Sequence, residues 1–311
     1  MNYFIRFLLL RTGLCFISLF VIATTTFLLM KSIPGDPFQD ERGVSQECIR
    51  ELRHFYGLDQ PLYIQYGRYV KSIFCFDFGP SLKYPAIRVN DIIREGFPIS
   101  ATLGAVALAI ALPFGILFGL LSAFNHGKWI DSFLRLFAVG GVSIPSFVMA
   151  CLLQFVFAFE LSLLPIARFE SPAHMVLPAI TLAIGPIAII SRLLRASTLD
   201  VLAQQYIYTA RMKGLSLGRI ISFHVLKNAS LPVLSYLGPV VTNILVGSFI
   251  VERVFAIPGL GQWFVGAVLN RDYPLIGGLT VFYSIVLIIV HSLLDLLYTL
   301  ADPRIRLYGR S

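Results

Sequence analysis

Tyr208-Thr209-Ala210-Arg211-Met212-Lys213-Gly214, followed by Leu231-Pro232, is the stretch on which the reading of this chain turns. It lies in a polar loop between two long apolar runs. From Thr198 to Lys213 the apolar residues are Leu199, Leu202, Ala203, Tyr206, Ile207 and Ala210, at offsets of 0, 3, 4, 7, 8 and 11, which is one face of an α-helix. Asp200, Gln204, Gln205, Thr209 and Arg211 take the other face. Asp200 near the start and Arg211 with Lys213 near the end suit the helix macrodipole. Gly214 can take the left-handed conformation that closes a helix. Ser216 can cap a second one, whose apolar positions are Leu217, Ile220, Ile221 and Val225. Pro232 is tolerated in the first turn of the run that follows. Two short helices joined by a tight turn are therefore expected. One reading lays them on the lipid surface, where a Lys-rich polar face would be usual instead of the Gln and Thr present. The other makes the pair a lever, attached to two spans and pushed by a soluble partner.

Composition supplies the setting. The chain has 311 residues, of which 57% are hydrophobic and 14% charged, and its mean hydropathy is +0.78. Soluble domains carry about 25% charged residues, so the fold class is all-α and polytopic in the lipid bilayer. A spanning helix needs about 20 mostly apolar residues. Six runs qualify as transmembrane helices, at 8–30, 97–123, 133–159, 175–194, 232–251 and 275–300. The first contains Arg11 and has no small-x-small cleavage site before Lys31, so it reads as a retained span. The net charge of +8 is spread between apolar segments without a dense patch, which argues against nucleic acid as a partner.

Basic residues in short loops set orientation. Arg6, Arg11, Lys128, Arg135, Arg192, Arg195, Arg211, Lys213, Arg219, Lys227, Arg304, Arg306 and Arg310 fall on one side. Arg168, Arg253 and Arg271 fall in the short loops of the other. Both termini are therefore expected in the cytoplasm. The organisation is a first span at 1–30, an extracytoplasmic segment at 31–96, five spans within 97–301 carrying a cytoplasmic loop at 195–231, and a cytoplasmic tail at 302–311. Cys48 and Cys75 share the extracytoplasmic segment, where a disulfide or two free thiols are both open readings.

The loop resembles the "EAA" loop of binding-protein-dependent ABC importer permeases, in which a Glu-Ala-Ala triplet precedes a Gly and a Leu-Pro follows. Ala210, Gly214 and Leu231-Pro232 match, whereas Tyr208-Thr209 replace Glu-Ala. Further stretches resemble the dipeptide/oligopeptide branch, first-subunit type. They are Pro34-Gly35-Asp36-Pro37, Gly57-Leu58-Asp59-Gln60-Pro61, Asp77-Phe78-Gly79, Ser143-Ile144-Pro145-Ser146-Phe147, Val251-Glu252-Arg253-Val254-Phe255, Pro258-Gly259-Leu260-Gly261, Asn270-Arg271-Asp272-Tyr273-Pro274 and Asp295 through Arg304. Their order covers nearly the whole chain. Nickel and glutathione importers share this branch.

The resemblance implies a type I ABC importer permease fold. It also implies four kinds of partner: a second homologous permease subunit, two ABC ATPase subunits, an extracytoplasmic substrate-binding protein and lipid. The coupling element would comprise Tyr208, Thr209, Ala210, Arg211, Lys213, Gly214, Leu215 and Pro232. The residues agree on one point independently. There is no G-x-x-x-x-G-K-[ST] phosphate loop, so ATP and Mg are expected on the partner ATPases, with no cofactor, metal or catalytic residue in this chain. A zinc protease would need H-E-x-x-H, which is missing. A channel would work without nucleotide.

Polar residues inside spans are candidates for function. Ser143, Ser146, Gln154, Asn243 and Ser248 are candidates for the translocation pathway, though bonding between helices is the commoner use of such residues. Asp295, near His291, is either functional or paired structurally with an Arg. Pro145 is expected to kink its helix, and Gly115 and Gly119 to bring helices close. Pro258, Gly259 and Gly261 are either a turn with interfacial aromatics or a gate or binding-protein contact. The cargo itself is left to the binding protein.

Overall fold

The structure, a computed structural model, describes residues 2–32, 35, 38 and 46–301. Pro34, Asp36, Pro37 and the tail 302–311 lie outside the described residues. In chain order the helices are α1 (Asn2–Ser32), α2 (Gln46–Tyr56), α3 (Leu62–Cys75), α4 (Val89–Phe124), α5 (Trp129–Ser143) and α6 (Ser146–Leu153), which runs on as a π-helix over Gln154–Glu160. Then come α7 (Ala173–Leu202), α8 (Gln205–Met212), α9 (Leu217–Arg219), a π-helix at Ile220–Val225, α10 (Leu226–Ala229), α11 (Leu231–Val254), α12 (Leu260–Asn270) and α13 (Tyr273–Ala301). Among the described residues no strand is formed.

Five helices, Arg11–Ser32, Val89–Phe124, Ala173–Leu202, Leu231–Val254 and Tyr273–Leu296, are each long and apolar enough to cross a membrane. The predicted run 133–159 is not one straight span. α5 and α6 meet at 109°, and count as a sixth crossing if the broken pair is taken as one. The cause is local. A residue before proline is pushed out of the helical region, and Ile144 is extended at φ −86°, ψ 121°. Pro145, at φ −57°, then starts α6. α4 begins eight residues before the predicted run at 97, and its 36 residues make it about 54 Å long at 1.5 Å per residue.

The chain forms two compact units, one of residues 1–98 with 259–289 and one of 99–258 with 290–311. The first joins the N-terminal span and the 46–88 segment to α12 and the start of α13. Phe27 packs against Tyr66 and Tyr69 with centroids 5.3 and 5.8 Å away, and Thr24 bonds the Tyr66 hydroxyl at 2.7 Å. Asp272, buried, accepts from the Leu275 N–H at the start of α13 (3.2 Å), from the Lys83 N–H (3.3 Å) and from the Ser81 hydroxyl. The Asn270-to-Pro274 motif is thus the joint between α12 and α13, with Arg271 in the left-handed conformation at φ 54° that ends α12. Asp77 takes two 2.8 Å bonds from Arg88, which hold its carboxyl below the usual range. Both partners are exposed.

The second unit has a large apolar core and a smaller cluster of Ala111, Ala183 and Ile187. The large core includes Leu103 and Ala107 of α4, Ile190 and Leu194 of α7, and Val240 and Ile244 of α11. Ile207, Ala210, Ile220, Val225 and Ala229 of the 203–231 loop belong to the same core. α4 approaches α7 at Gly115 and Gly119: a Cβ on Gly119 would lie 2.9 Å from both the Leu194 Cβ and the Ser191 carbonyl oxygen. Pro178 and Pro186 sit inside α7. Pro186 has no N–H to give the Leu182 carbonyl, so that oxygen is left without its helical donor.

Candidate functional site

The loop between α7 and α11 is built as two helical pieces around a turn, with one change from the predicted pattern. The helix expected over 198–213 is broken at Ala203-Gln204: α7 runs to Leu202, Gln204 is extended at φ −77°, ψ 145°, and α8 starts at Gln205. No Gly or Pro marks the break. Ile207 and Ala210 are buried on one side of it and Val201 on the other. Of the predicted apolar face, Leu199 and Leu202 are half-buried, and Ala203 and Tyr206 are exposed. Burial in the tertiary core has overridden a helical period that was locally sound.

The turn follows the expected chemistry. Gly214 has φ +73°. Its N–H reaches the Arg211 carbonyl at 2.9 Å and the Leu215 N–H reaches the Ala210 carbonyl at 3.3 Å. This is the paired closure of a Schellman motif. Beyond the turn, Ile220 and Val225 are both buried. Five residues apart, they would diverge by about 140° on a regular α-helix. The π-helical stretch Ile220–Val225 widens the turn and brings both to the core. Asn228 ties the second piece to the first by donating to the Tyr206 hydroxyl at 3.0 Å.

The outer face of this pair is uncovered. Tyr208, Met212 and Phe223 are 67%, 73% and 70% exposed, and Thr209, Arg211, Lys213 and Gly214 are exposed beside them. Leu215 is half-buried, and Pro232 is exposed in the first turn of α11. The loop therefore has an apolar underside continuous with the spans and an outer face of aromatic, thioether and basic groups.

A cavity of about 340 Å³ opens at the α5–α6 break. Its walls come from the end of α5 (Gly141), the start of α6 (Ser146), α7 (Thr181, Ile184, Gly185) and α11 (Tyr236, Val240, Asn243). Of the five predicted pathway residues, Ser146 and Asn243 line it. Ser143 is exposed but is not in the lining. Gln154 is held by bonds to the Ile166 and Val254 carbonyls at 2.9 and 3.4 Å. Ser248 is buried and donates to the Leu245 carbonyl at 2.8 Å. Thr181 and Tyr236 are polar lining residues that the sequence reading passed over. Pro258 is exposed, whereas Gly259 and Gly261 are buried. Among the described residues no group of three or more His, Cys, Asp or Glu is placed to hold a metal ion.

One charged centre was not foreseen. Asp131 is 1% exposed. It accepts from Arg195 Nε at 2.7 Å and Nη2 at 2.8 Å, from the Ser122 hydroxyl at 2.6 Å and from the Gly127 N–H at 3.1 Å. A lone acid between Lys128 and Arg135 reads in sequence as a solvated loop residue, and its partner is 64 positions away.

Residues 115–307 match the family described as binding-protein-dependent transport system inner membrane component, and residues 4–84 match its N-terminal companion family. A dipeptide transport system permease protein of Bacillus subtilis is 49% identical over 98% of this chain and 99% of its own length. An oligopeptide transport system permease protein of Salmonella typhimurium is 41% identical over 97% and 99%. Among solved structures, a chain of an amino acid ABC transporter superposes with a TM-score of 0.52 at 18% identity, over 67% of this chain and 94% of that one. A chain of an inward-facing methionine ABC transporter gives 0.51 at 15% identity, over 68% and 96%. At those identities the structures establish a shared fold.

Proposed function

The chain belongs to the family of binding-protein-dependent transport system inner membrane components, and from that premise we propose that it is a peptide-conducting permease subunit of an ABC importer, driven by ATP hydrolysis on partner subunits. It is a multi-pass inner-membrane protein. Peptide as cargo is supported by relatives named for dipeptide and oligopeptide transport that match over nearly the full length.

The observation that carries the coupling role is the two-sided loop. Its underside shares the core of the spans, so a push on the loop reaches them without passing through a flexible linker. Its outer face presents Tyr208, Arg211, Met212 and Lys213, large side chains of the kind that fill a groove on a partner. In this reading the groove belongs to an ATPase subunit and the loop faces the cytoplasm. The exposed turn at Gly214 leads into the groove. A second permease subunit completes the pathway, and an extracytoplasmic binding protein delivers the peptide.

The cavity suits the cargo. Its polar groups, Ser146, Thr181, Tyr236 and Asn243, are uncharged. They can bond to peptide N–H and C=O groups, which every peptide has, without selecting particular side chains. Selection then rests with the binding protein. Cysteine cross-linking in the assembled transporter tests the coupling role. Cysteines replacing Tyr208 or Lys213 are expected to trap a disulfide with cysteines placed along one groove of the ATPase. No cross-link from any exposed position of 205–216 would remove the loop from the coupling role.

A further inference from the structure

The Asp131 centre lies at one end of the wall that bounds the cavity. α5 carries Asp131 in its first turn and ends at the cavity, at the Ile144-Pro145 break. Arg195 is on α7, two turns before that helix ends and passes through Ala203-Gln204 into α8. The carboxylate is buried, and both its oxygens are engaged by the Arg195 fork, with Ser122 of α4 and the Gly127 N–H adding two more donors. Arg135 stands 3.7 Å from the same carboxylate. A bidentate guanidinium on a buried carboxylate has a defined geometry, unlike an exposed ion pair. The three helices also touch further along. α4 meets α7 at Gly119, and α5 meets α7 at Gly141, where a Cβ would lie 3.0 Å from that of Ala188. The opposite cavity wall, Tyr236, Val240 and Asn243, belongs to α11, which leaves the other end of the loop.

We infer that the Asp131–Arg195 pair is a positioning joint that makes α5 and the end of α4 travel with α7 when the 203–231 loop is displaced. α5 and α7 then shift as one wall against α11, and the cavity between them changes width. Without the joint, α7 would slide past α5 and the displacement would be lost before it reached the break at Pro145. Asp131 and Arg195 contact neither cargo nor nucleotide in this scheme. It rests on the coupling role proposed for the loop.

The test uses the complete transporter, with partner permease, ATPases and binding protein, in vesicles supplied with labelled dialanine and trialanine. The reading is peptide taken up per ATP hydrolysed. Asp131→Asn and Arg195→Gln are expected to keep hydrolysing ATP while uptake per ATP falls about tenfold, within the range common for coupling between two sites. Arg195→Lys, which keeps the charge and loses the fork, should fall between these and the wild type. Single variants that keep the wild-type ratio would overturn the joint. Wild-type vesicles without ATP-dependent uptake would instead overturn the proposed function, and the joint with it.

A second measurement leaves the pair intact. Spin labels on cysteines replacing Trp129 and Asp200, in a background without the native cysteines, report α5 against α7. Their distance is expected to stay within about 2 Å between nucleotide-free and ATP-trapped states, as for helices that move together. A change near one helical turn, about 5 Å, would show the helices sliding and would overturn the joint even if the substituted variants failed to assemble.

Discussion

Gly214 shows what a single residue contributes to the loop between α7 and α11. Its φ of +73° is closed to most side chains, while nothing lies within 4 Å of where its Cβ would be. The requirement is therefore conformational and not one of space. A left-handed backbone costs a residue with a Cβ about 1–2 kcal/mol, so Gly214→Ala should loosen the turn without disturbing the spans. The expected outcome is reduced peptide uptake, an unchanged amount of protein in the membrane, and faster proteolytic cleavage within 203–231. Gly214→Asn should be milder, because Asn tolerates that region better. This residue was legible from its place at the end of a helical pattern. Gly115 and Gly119 were legible as a spacing, and the structure supplies what they approach. Asp131 was not legible. Sequence gives a charge and its neighbours, and the arginine that defines this one arrives only when α5 and α7 pack.

At the scale of elements, the runs at 8–30, 97–123, 175–194, 232–251 and 275–300 each fall largely within a helix, because apolar length alone decides whether a segment can cross a bilayer. The exceptions are instructive. The 133–159 run is apolar enough throughout, but the restriction that Pro145 places on Ile144 turns a kink into a 109° break and opens the cavity. The 198–213 helix has the right period and still breaks at Ala203-Gln204, since burying Ile207 and Ala210 outweighs one continuous helix. The π-helical stretch at 220–225 has the same origin and leaves no mark in the sequence. These departures lead to a check by thiol labelling. In the assembled transporter, a cysteine replacing Asn243, which lines the cavity, should react with a small water-soluble maleimide. One replacing Ser248, buried five residues further along α11, should not. Equal reactivity at the two sites would mean that the cavity is not the aqueous path.

At the scale of the molecule, the family was legible because its motifs run in order along nearly the whole chain, and a 49% identical relative covers 98% of it. The two compact units were not legible. Residues 259–289 join the N-terminal unit, although no change in composition separates them from the spans before. The absence of a phosphate loop from the chain divides the labour. Under the proposed function this subunit supplies the path and the loop, and the energy comes from partner chains that bind ATP. The most direct measurement is uptake of labelled dialanine and trialanine into vesicles holding the full set of subunits, with ATP, without it, and with an analogue that cannot be hydrolysed. Uptake that needs both hydrolysable ATP and the binding protein is the expected result. Uptake that proceeds equally without ATP would make the protein a channel and contradict the permease reading.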